Sequence, residues 1–419
     1  MDKMQDAQPK LSRNGGRWAL LSAVAIGHGI LHWYQQGFLV IFPTIKADMS
    51  LSATQAGLII SVRQVLSGLV NIPAGVLTDR LRTSWPLIFA FSVLSVGVGY
   101  LLVGLSPVYL VLLLTVGLAG THPLWHLPGV AALSESLPEK RGFAISIHGM
   151  GATVGDTLGP YMLGLLLVLL TWRQAMVFSS LPAFFLCIVV FLVMRGLIRT
   201  SPSRGLQESG ISAEQEPVME KFRTLLGNKR LMALVGAAGF RSASQQTIIP
   251  FLAIYLKEDL AMSDPIIGIH ISLLTLLGVV SSPVLGSVSD RVGRKPVLVT
   301  GMVILASLVL ILAAIGSGWK LTLMVTLMGI FIYSLSSIIL AMSQDMVGEG
   351  VRATATGFIF TGNQGLAMPA PFIAGFLVDT LGDTRVAFVM SSFMYLAAAV
   401  IIALIPLSPS DKQRDLPSA

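Results

Sequence analysis

The sequence predicts an all-α membrane protein in which twelve transmembrane helices form two pseudo-symmetric bundles of six. Three observations lead to this fold class. Of the 419 residues, 54% are hydrophobic and only 12% are charged, which is more apolar surface than a soluble globule can bury. The apolar residues gather into twelve long stretches, and one charged motif occurs twice, once in each half of the chain.

Twelve stretches are long enough to cross a bilayer, because a hydrocarbon core of roughly 30 Å needs about 20 apolar residues in a helix. They are approximately residues 18–42, 54–78, 85–105, 107–133, 142–170, 173–195, 229–256, 265–289, 296–316, 319–343, 353–378 and 385–407. We expect a first bundle at 18–196 and a second at 229–407, joined by a linker at 197–228 and flanked by tails at 1–17 and 408–419. An even number of spans puts both termini on one side.

The basic residues predict the orientation. Twenty-one Lys and Arg residues lie in segments on the side of the termini, and five lie on the opposite side. Loops rich in Lys and Arg stay in the cytoplasm, so both termini are predicted to be cytoplasmic, in a bacterial inner membrane. The net charge of +7 therefore reflects topology and gives no reason to expect a nucleic-acid partner. The only cysteine, Cys187, has no partner for a disulfide.

The repeated motif reads GVLTDRLRTSW at Gly75–Trp85 and GSVSDRVGRKP at Gly286–Pro296, so the two copies start 211 residues apart. The second copy follows the pattern G-x-x-x-D-R-x-G-R-K, whereas the first has Arg82 in place of the second glycine. This pattern, between the second and third spans of each half, resembles the signature loop of the major facilitator superfamily of secondary transporters.

The resemblance implies that the two bundles rock around a central site and that the signature loops stabilise one closed state. The residues implied to form these cytoplasmic gates are Gly75, Asp79, Arg80, Gly286, Asp290, Arg291, Gly293 and Arg294. The aspartates would accept hydrogen bonds near helix ends, and the arginines would pair across the loops. The resemblance also implies that helices one, four, seven and ten line the central cavity.

Polar side chains inside the spans are candidates for this cavity, since an ionisable group in a membrane is costly unless it faces the bundle interior or water. The candidates are His28, His32, Gln35, His122, His126, Arg241, Gln245 and Gln364. Arg63 could bind an anionic substrate or pair with backbone carbonyls. Arg241 could hold an anionic substrate or serve as the counter-charge of Asp156.

Asp156 is the one carboxylate that lies inside a predicted span and well away from a loop. Such a group is suited to take up and release a proton, with His28 and His122 as further candidates for proton coupling. The alternative is a structural aspartate that is bonded to a hydroxyl or a histidine. The surrounding Gly155-x-x-x-Gly159-Pro160 allows close helix approach and resembles the fifth-helix motif of the superfamily's antiporters.

Several short motifs resemble the fosmidomycin-resistance branch of the superfamily, whose members are drug-type efflux proteins. They are Gly27-His28, His122-Pro123, the Gly-Pro segment of the fifth span, Arg241-Ser242 and Pro250-Phe251. Where that branch carries acidic residues, this sequence has His32 and Leu124. Proton coupling would then depend on Asp156 with His28 and His122.

The sequence therefore predicts a monomeric secondary transporter that exports a small drug-like or anionic organic compound in exchange for protons. A P-loop motif is absent from the sequence, so an ion gradient is the expected energy source, without a cofactor. The expected partners are the substrate and the lipid bilayer, and no nucleophile–base arrangement suggests an enzyme. The alternatives are uptake of an organic anion, or transport of a metal ion or chelate by His28, His32, His122 and His126.

Overall fold

The computed structural model describes residues 13–80, 84–121, 123–200, 218–347 and 352–406. Within these ranges the chain is almost entirely α-helical and contains no β-strand. Arg82, His122, most of the linker and most of the two tails fall outside the described residues. The proposed boundaries of the tails and the linker therefore stay predictions.

A helix, or a pair of helices, occupies each of the twelve predicted spans. The first half contains α1 (Arg13–Asp48), α2 (Ala53–Arg80), α3 (Trp85–Gly104), α4 (Tyr109–Thr115), α5 (Pro123–Ser136), α6 (Arg141–Leu169) and α7 (Trp172–Thr200). After a linker helix, α8 (Val218–Gly227), the second half contains α9 (Lys229–Ile254), α10 (Asp264–Val292), α11 (Arg294–Ala314), α12 (Trp319–Ile332), α13 (Ser334–Asp345), α14 (Arg352–Ala367), α15 (Ala370–Leu381) and α16 (Arg385–Leu404).

In the described part of the chain, nine helical segments are long and apolar enough to cross a membrane by length and composition. The spans outside this set are those of α1, α9 and the α14–α15 pair. Helices α1 and α9 have 36 and 26 residues, so their polar side chains, rather than their length, lower their hydropathy. Helices α14 and α15 are each short because the eleventh span is interrupted at Pro369. Proline has no backbone N–H group and so cannot donate a hydrogen bond within a helix.

The repeated motif is mostly helical rather than a long loop. Gly75, Asp79 and Arg80 belong to the last turns of α2, and the side chains of Asp79 and Arg80 lie outside the described part of the structure. In the second copy, only Gly293 separates α10 from α11. Its φ of 95° is a conformation that glycine adopts without strain, which explains why the motif has glycine there.

Helix α6 packs closely on α1 because glycines replace side chains along their contact. A Cβ added to Gly151, Gly155 or Gly159 would overlap the backbone carbonyl oxygen of Ala25, Gly29 or Trp33, respectively. The close approach predicted from the spacing of Gly155 and Gly159 is therefore confirmed. This contact fixes which residues of α1 and α6 face each other.

The two halves meet where glycines of one half lie against backbone carbonyls of the other. The contacts pair Gly57 with Pro371, Gly268 with Pro160, Gly375 with Ala53, and Gly164 with Asp264. The first and second pairs are related by the 211-residue offset, since Gly57 corresponds to Gly268 and Pro160 to Pro371. The third and fourth pairs are related in the same way, since Gly164 corresponds to Gly375 and Ala53 to Asp264. The interface therefore repeats the internal symmetry of the sequence.

These contacts run from the middle of the bundle to the end that carries residues 49–52, 260–263 and 382–384. We call this the far end, and we call the end that carries the repeated motif the signature end. Helices α2 and α10 begin at the far end, so Gly57 and Gly268 lie near it in equivalent positions. The described contacts thus close the far end of the molecule.

Replacing Gly164 or Gly375 by alanine should destabilise the protein, because the new methyl group must push a backbone carbonyl of the other half away. Overpacking of this kind costs about 1–3 kcal/mol. Gly149→Ala on the same helix as Gly164 is the matched control, since no atom lies within 4 Å of its added Cβ. Thermal unfolding in detergent should give lower midpoints for both interface variants than for the control. Equal midpoints for Gly164→Ala and Gly149→Ala would contradict the interface described above.

Candidate functional site

A cavity of about 280 Å³ lies between the two halves. Its polar lining consists of His32, Gln35, Gln36, Arg63, Gln64, Ser67, Asp156, Gln245, Gln246, Tyr333 and Gln364. Four of the predicted cavity residues are among them: His32, Gln35, Gln245 and Gln364. Spans one, four, seven and ten all contribute, as the family resemblance implies, and α2, α6 and α14 contribute as well.

Asp156 is hydrogen-bonded to His32 across the α1–α6 contact. The Nδ1 atom of His32 lies 2.9 Å from the Oδ1 atom of Asp156, and both side chains are largely buried. The glycine contacts bring the two helices close enough for this bond. The arrangement matches the predicted alternative of an aspartate bonded to histidine, and it also supplies two groups that can each carry a proton.

The backbone beside Asp156 is bonded to the other half. The Thr275 hydroxyl donates to the carbonyl oxygen of Asp156 at 3.2 Å, and the Ser272 hydroxyl donates to that of Thr157 at 2.5 Å. Both hydroxyl groups belong to α10. The His32–Asp156 pair therefore lies directly beside the interface between the halves.

Arg63 is the charged residue that α2 adds to the cavity. Its side chain is only 8% exposed, and Nη2 donates to the backbone carbonyl of Gln35 at 3.0 Å. The guanidinium lies over the Phe38 ring, 4.9 Å from its centroid. Among the described residues, the Nε atom has no hydrogen-bond partner. Arg63 therefore has the backbone carbonyl partner of one interpretation, and its position at the cavity wall leaves the other, substrate binding, a prediction.

Six glutamine side chains also line the cavity, three from each half: Gln35, Gln36, Gln64, Gln245, Gln246 and Gln364. Gln36 donates to the Tyr333 hydroxyl at 3.0 Å and so links the halves across the cavity. Each amide can both donate and accept, so the wall can bind hydroxyl, carbonyl or phosphoryl groups.

Arg241 does not line the cavity, which corrects the prediction. Its Nη1 atom donates to the side chain of Gln245 at 2.8 Å and to the carbonyl oxygen of Ile332 at 3.3 Å, and the residue is buried. Arg241 therefore positions Gln245 from behind. Of the two roles considered for Arg241, the pairing with Asp156 is not formed, since the side-chain partner of Asp156 is His32.

His28 and His126 also lie outside the cavity lining, so their assignment to it is corrected. Together with His148 they form a cluster inside the first half, built from α1, α5 and α6. The His28 and His148 rings stack with centroids 3.9 Å apart, and His148 Nε2 lies 3.2 Å from His126 Nδ1. His32 joins this cluster to the cavity, since its ring centroid is 4.6 Å from that of His28.

The signature end carries a charge network in its second copy. Arg294 lies 2.9 Å from Asp290 and 2.5 Å from Asp345, the last residue of α13. Arg294 thus pairs with the aspartate of its own motif, and Asp345 is a second partner from outside the motif. Lys295 donates to the carbonyl oxygen of Ile405 at 2.7 Å. This network ties the start of α11 to α13 and α16 within the second half.

At the far end, charged groups connect the halves. Lys46 pairs with Glu258 at 2.7 Å. Asp379 of α15 accepts hydrogen bonds at 2.8 Å from the backbone N–H groups of Ala53 and Thr54, the first residues of α2. Partial burial alone would raise the pKa of Asp379, but hydrogen bonds from Thr54, Ala53 and Ser52 outweigh it and hold the pKa below its usual range.

The sequence profile of the Major Facilitator Superfamily matches residues 24–244 and, again, residues 234–419. The chain belongs to the major facilitator superfamily. The double match agrees with the internal repeat, and the superfamily fold agrees with the two six-helix halves.

Among curated members of the superfamily, the chain is 24% identical to the hexuronate transporter of Bacillus subtilis (strain 168), over 89% of this chain and 91% of that one. It is 23% identical to the fosmidomycin resistance protein of Escherichia coli (strain K12), over 86% and 87% of the two chains.

Among solved structures, a bacterial homologue of the human lysosomal transporter Spinster, inward-facing and unoccupied, superposes with a TM-score of 0.79. The superposition covers 96% of this chain and 100% of that chain at 18% identity, so it supports the superfamily fold alone.

Asp379→Asn should weaken the closed far end of this superfamily member, because a neutral amide accepts the bonds of the α2 N-terminus less strongly. We expect a loss of about 1 kcal/mol, since the carboxylate is exposed to water, and hence roughly a fivefold shift towards an opened far end. Spin labels at Ser50 and Ser263, in a Cys187→Ser background, should then show an added population at longer distance.

The matched control is Asp383→Asn, whose carboxylate accepts from Arg385 N within its own turn. Because its pKa is depressed, Asp379 is fully ionised at any pH above the ordinary pKa of an aspartate. Its hydrogen bonds weaken only as the pH falls through the depressed pKa. The effect should therefore be the same at pH 5 and pH 8. Unchanged distances in Asp379→Asn would refute this role.

Proposed function

We propose that this secondary transporter moves small organic anions in a proton-coupled, alternating-access cycle. The observation that carries the proposal is that Arg63 and the His32–Asp156 pair line the same cavity between the two halves. One group supplies a fixed positive charge for an anion. The other supplies a place for a proton.

Arg63 is suited to anchor an anion because its surroundings leave it undersatisfied. A buried guanidinium is costly unless hydrogen bonds and a counter-charge compensate it. The Nη2 atom has a carbonyl partner, while Nε has none among the residues described. A carboxylate or phosphonate could accept from two N–H groups of the guanidinium at once, which is the geometry that favours arginine for such ligands.

The cavity volume and its amide lining favour a small, polar substrate. About 280 Å³ is near the lower end of the range for ligand pockets. The names of the two relatives support this substrate class, since hexuronates are sugar carboxylates and fosmidomycin is a phosphonate. Both compounds are small organic anions with several hydrogen-bonding groups.

Charge balance gives the sign of the coupling. A proton that joins the His32–Asp156 pair removes one negative charge from the cavity, and an anion brings one in. Each binding event therefore favours the other, and linkage makes the effect reciprocal. A proton and an anion that bind together cross in the same direction, so the geometry favours cotransport.

Export in exchange for protons, as expected from the sequence, is the second candidate. The similarity to the fosmidomycin resistance protein favours it. Exchange requires the proton and the substrate to compete for the cavity, and a lipophilic or cationic drug would do so by displacing a proton from Asp156. The two candidates therefore predict opposite proton movements.

The remaining features of the proposal follow the sequence. We place the protein in the bacterial cytoplasmic membrane with both termini in the cytoplasm, acting as a monomer without a cofactor or enzymatic activity. A metal ion as the cargo is disfavoured, because His28 and His126 lie outside the cavity lining.

Proteoliposomes with a trapped pH dye give the decisive test, and protein orientation does not matter. Adding a hexuronate or a phosphonate outside should acidify the lumen if anion and proton enter together. Exchange would make the lumen alkaline instead, and no response to organic anions would refute the proposal. Asp156→Asn should abolish the pH change while exchange of labelled substrate continues. Asp383→Asn is the control, and a persisting pH signal in Asp156→Asn would place proton coupling elsewhere.

Arg63→Gln should raise the substrate concentration for half-maximal transport by about 10- to 100-fold, the value expected for losing a charged hydrogen bond of about 1.5–3 kcal/mol. Arg63→Lys keeps the charge without the two-pronged geometry and should be intermediate. The control is Arg173→Gln, at an exposed arginine that pairs with Asp48 at the far end. Wild-type affinity in Arg63→Gln would show that the anion binds elsewhere.

A further inference from the structure

Arg241 is a buried arginine that lies directly behind the wall of the central cavity. It is 4% exposed, and its Nη1 atom donates to Gln245 Oε1 at 2.8 Å and to the carbonyl oxygen of Ile332 at 3.3 Å. Gln245 lies one helical turn further along α9, is partly exposed and lines the cavity. Arg241 therefore acts on the cavity only through the Gln245 amide.

The chemistry of arginine fixes which end of this amide is left for the cavity. A guanidinium carries five N–H donors and no acceptor, so it can bond only the oxygen of an amide. Among the described residues, none accepts a hydrogen bond from Gln245 Nε2, which leaves its N–H groups for the cavity. Gln245 therefore differs from a free amide, which can turn either end to a ligand.

We propose that Arg241 is a positioning residue that holds Gln245 as a hydrogen-bond donor towards the substrate. This rests on the proposed function, in which Arg63 of the first half binds the anionic group. Gln245 belongs to the second half and lines the same cavity of about 280 Å³. The substrate class then narrows to anions that carry a second, accepting group, such as a hydroxyl, carbonyl or phosphoryl oxygen, on the side of the second half.

A break in the tenth span anchors Arg241. Helix α12 ends at Ile332 and α13 begins at Ser334, so the last carbonyl groups of α12 have no partner within that helix. The carbonyl oxygen of Ile332 accepts from Arg241 instead, at the end of a helix that favours a positive charge. The guanidinium is thus fixed between two oxygen atoms, and its orientation sets that of the amide.

The shared fold does not require this pair. The positions 211 residues earlier, equivalent by the internal repeat, are Ile30 and Tyr34. Tyr34 is fully buried and donates to the carbonyl oxygen of Ser179 within the first half. The first half therefore builds the same helix with neither an arginine nor an amide at these positions. Arg241 and Gln245 are thus a specific property of the second half.

Two phosphonates of equal charge separate the accepting group from the anionic group. Oxopentylphosphonate carries a ketone on its alkyl chain, and pentylphosphonate does not. In isothermal titration calorimetry with the purified full-length protein in detergent, the wild type should bind the ketone about threefold to tenfold more tightly, the value expected for one neutral hydrogen bond. Gln245→Leu should lose this preference. The matched control is Gln174→Leu, at a far-end glutamine bonded to Thr171 within its own turn, and it should keep the preference.

Two substitutions of Arg241 test its role. Arg241→Lys keeps a group that only donates and should retain most of the preference for the ketone. In Arg241→Met no donor holds Gln245 Oε1, so the amide can turn either end to the ligand, and the preference should fall at least about twofold. Misfolded protein would lower the amount of binding for both compounds equally. A merely structural role of Arg241 would therefore leave the ratio of the two dissociation constants unchanged.

The possible outcomes distinguish the role of this pair from the proposed function. An unchanged preference in Gln245→Leu or in Arg241→Met, or a wild type that binds the two compounds equally, would overturn the role of the pair and leave anion binding at Arg63 intact. A wild type that binds neither compound would refute the anion site itself, and the role of the pair with it.

Discussion

The packing of glycine against backbone carbonyl groups is the constraint on which the rest of this structure depends. In a bilayer the lipid tails are as apolar as the side chains, so helices associate mainly through close packing and hydrogen bonds. Gly57, Gly164, Gly268 and Gly375 allow the two halves to touch through their backbones. The same device joins α1 to α6 and thereby sets the His32–Asp156 pair. A side chain at any of these positions would move the groups that define the cavity.

The two halves share the same backbone fold but place different kinds of side chain in the cavity. His32, Arg63 and Asp156 provide the ionisable groups of the cavity, and the equivalent positions in the second half are Ala243, Leu274 and Ala367. The second half instead contributes amides, such as Gln245 and Gln364, and the Tyr333 hydroxyl. One half thus carries the charge of the site, and the other supplies neutral hydrogen-bonding groups. The internal repeat fixes the backbone and leaves this difference free.

Hydropathy and the repeated motif predicted the twelve spans, because both signals are local in sequence. The same rule, that ionisable groups in a span face the cavity, selected His32 correctly and misplaced Arg241 and His28. These two side chains are instead bonded within their own halves, to the carbonyl groups of Ile332 and His148. Which way a helix turns its polar face depends on tertiary contacts that one sequence does not show. The 211-residue offset does relate Gly57 to Gly268 and Pro160 to Pro371, so the repeated interface could have been found from the sequence.

The hydrogen bond from Thr275 to the carbonyl oxygen of Asp156 has a mechanical consequence. It joins the backbone of Asp156, the residue that we propose binds the proton, to the line along which α6 and α10 meet. In a rocking motion, groups on such a pivot line rotate with little translation, while the helix ends swing through long arcs. Asp156 would then change the compartment to which it is open without being carried across the membrane. The proton would cross as water reaches the same carboxylate first from one side and then from the other.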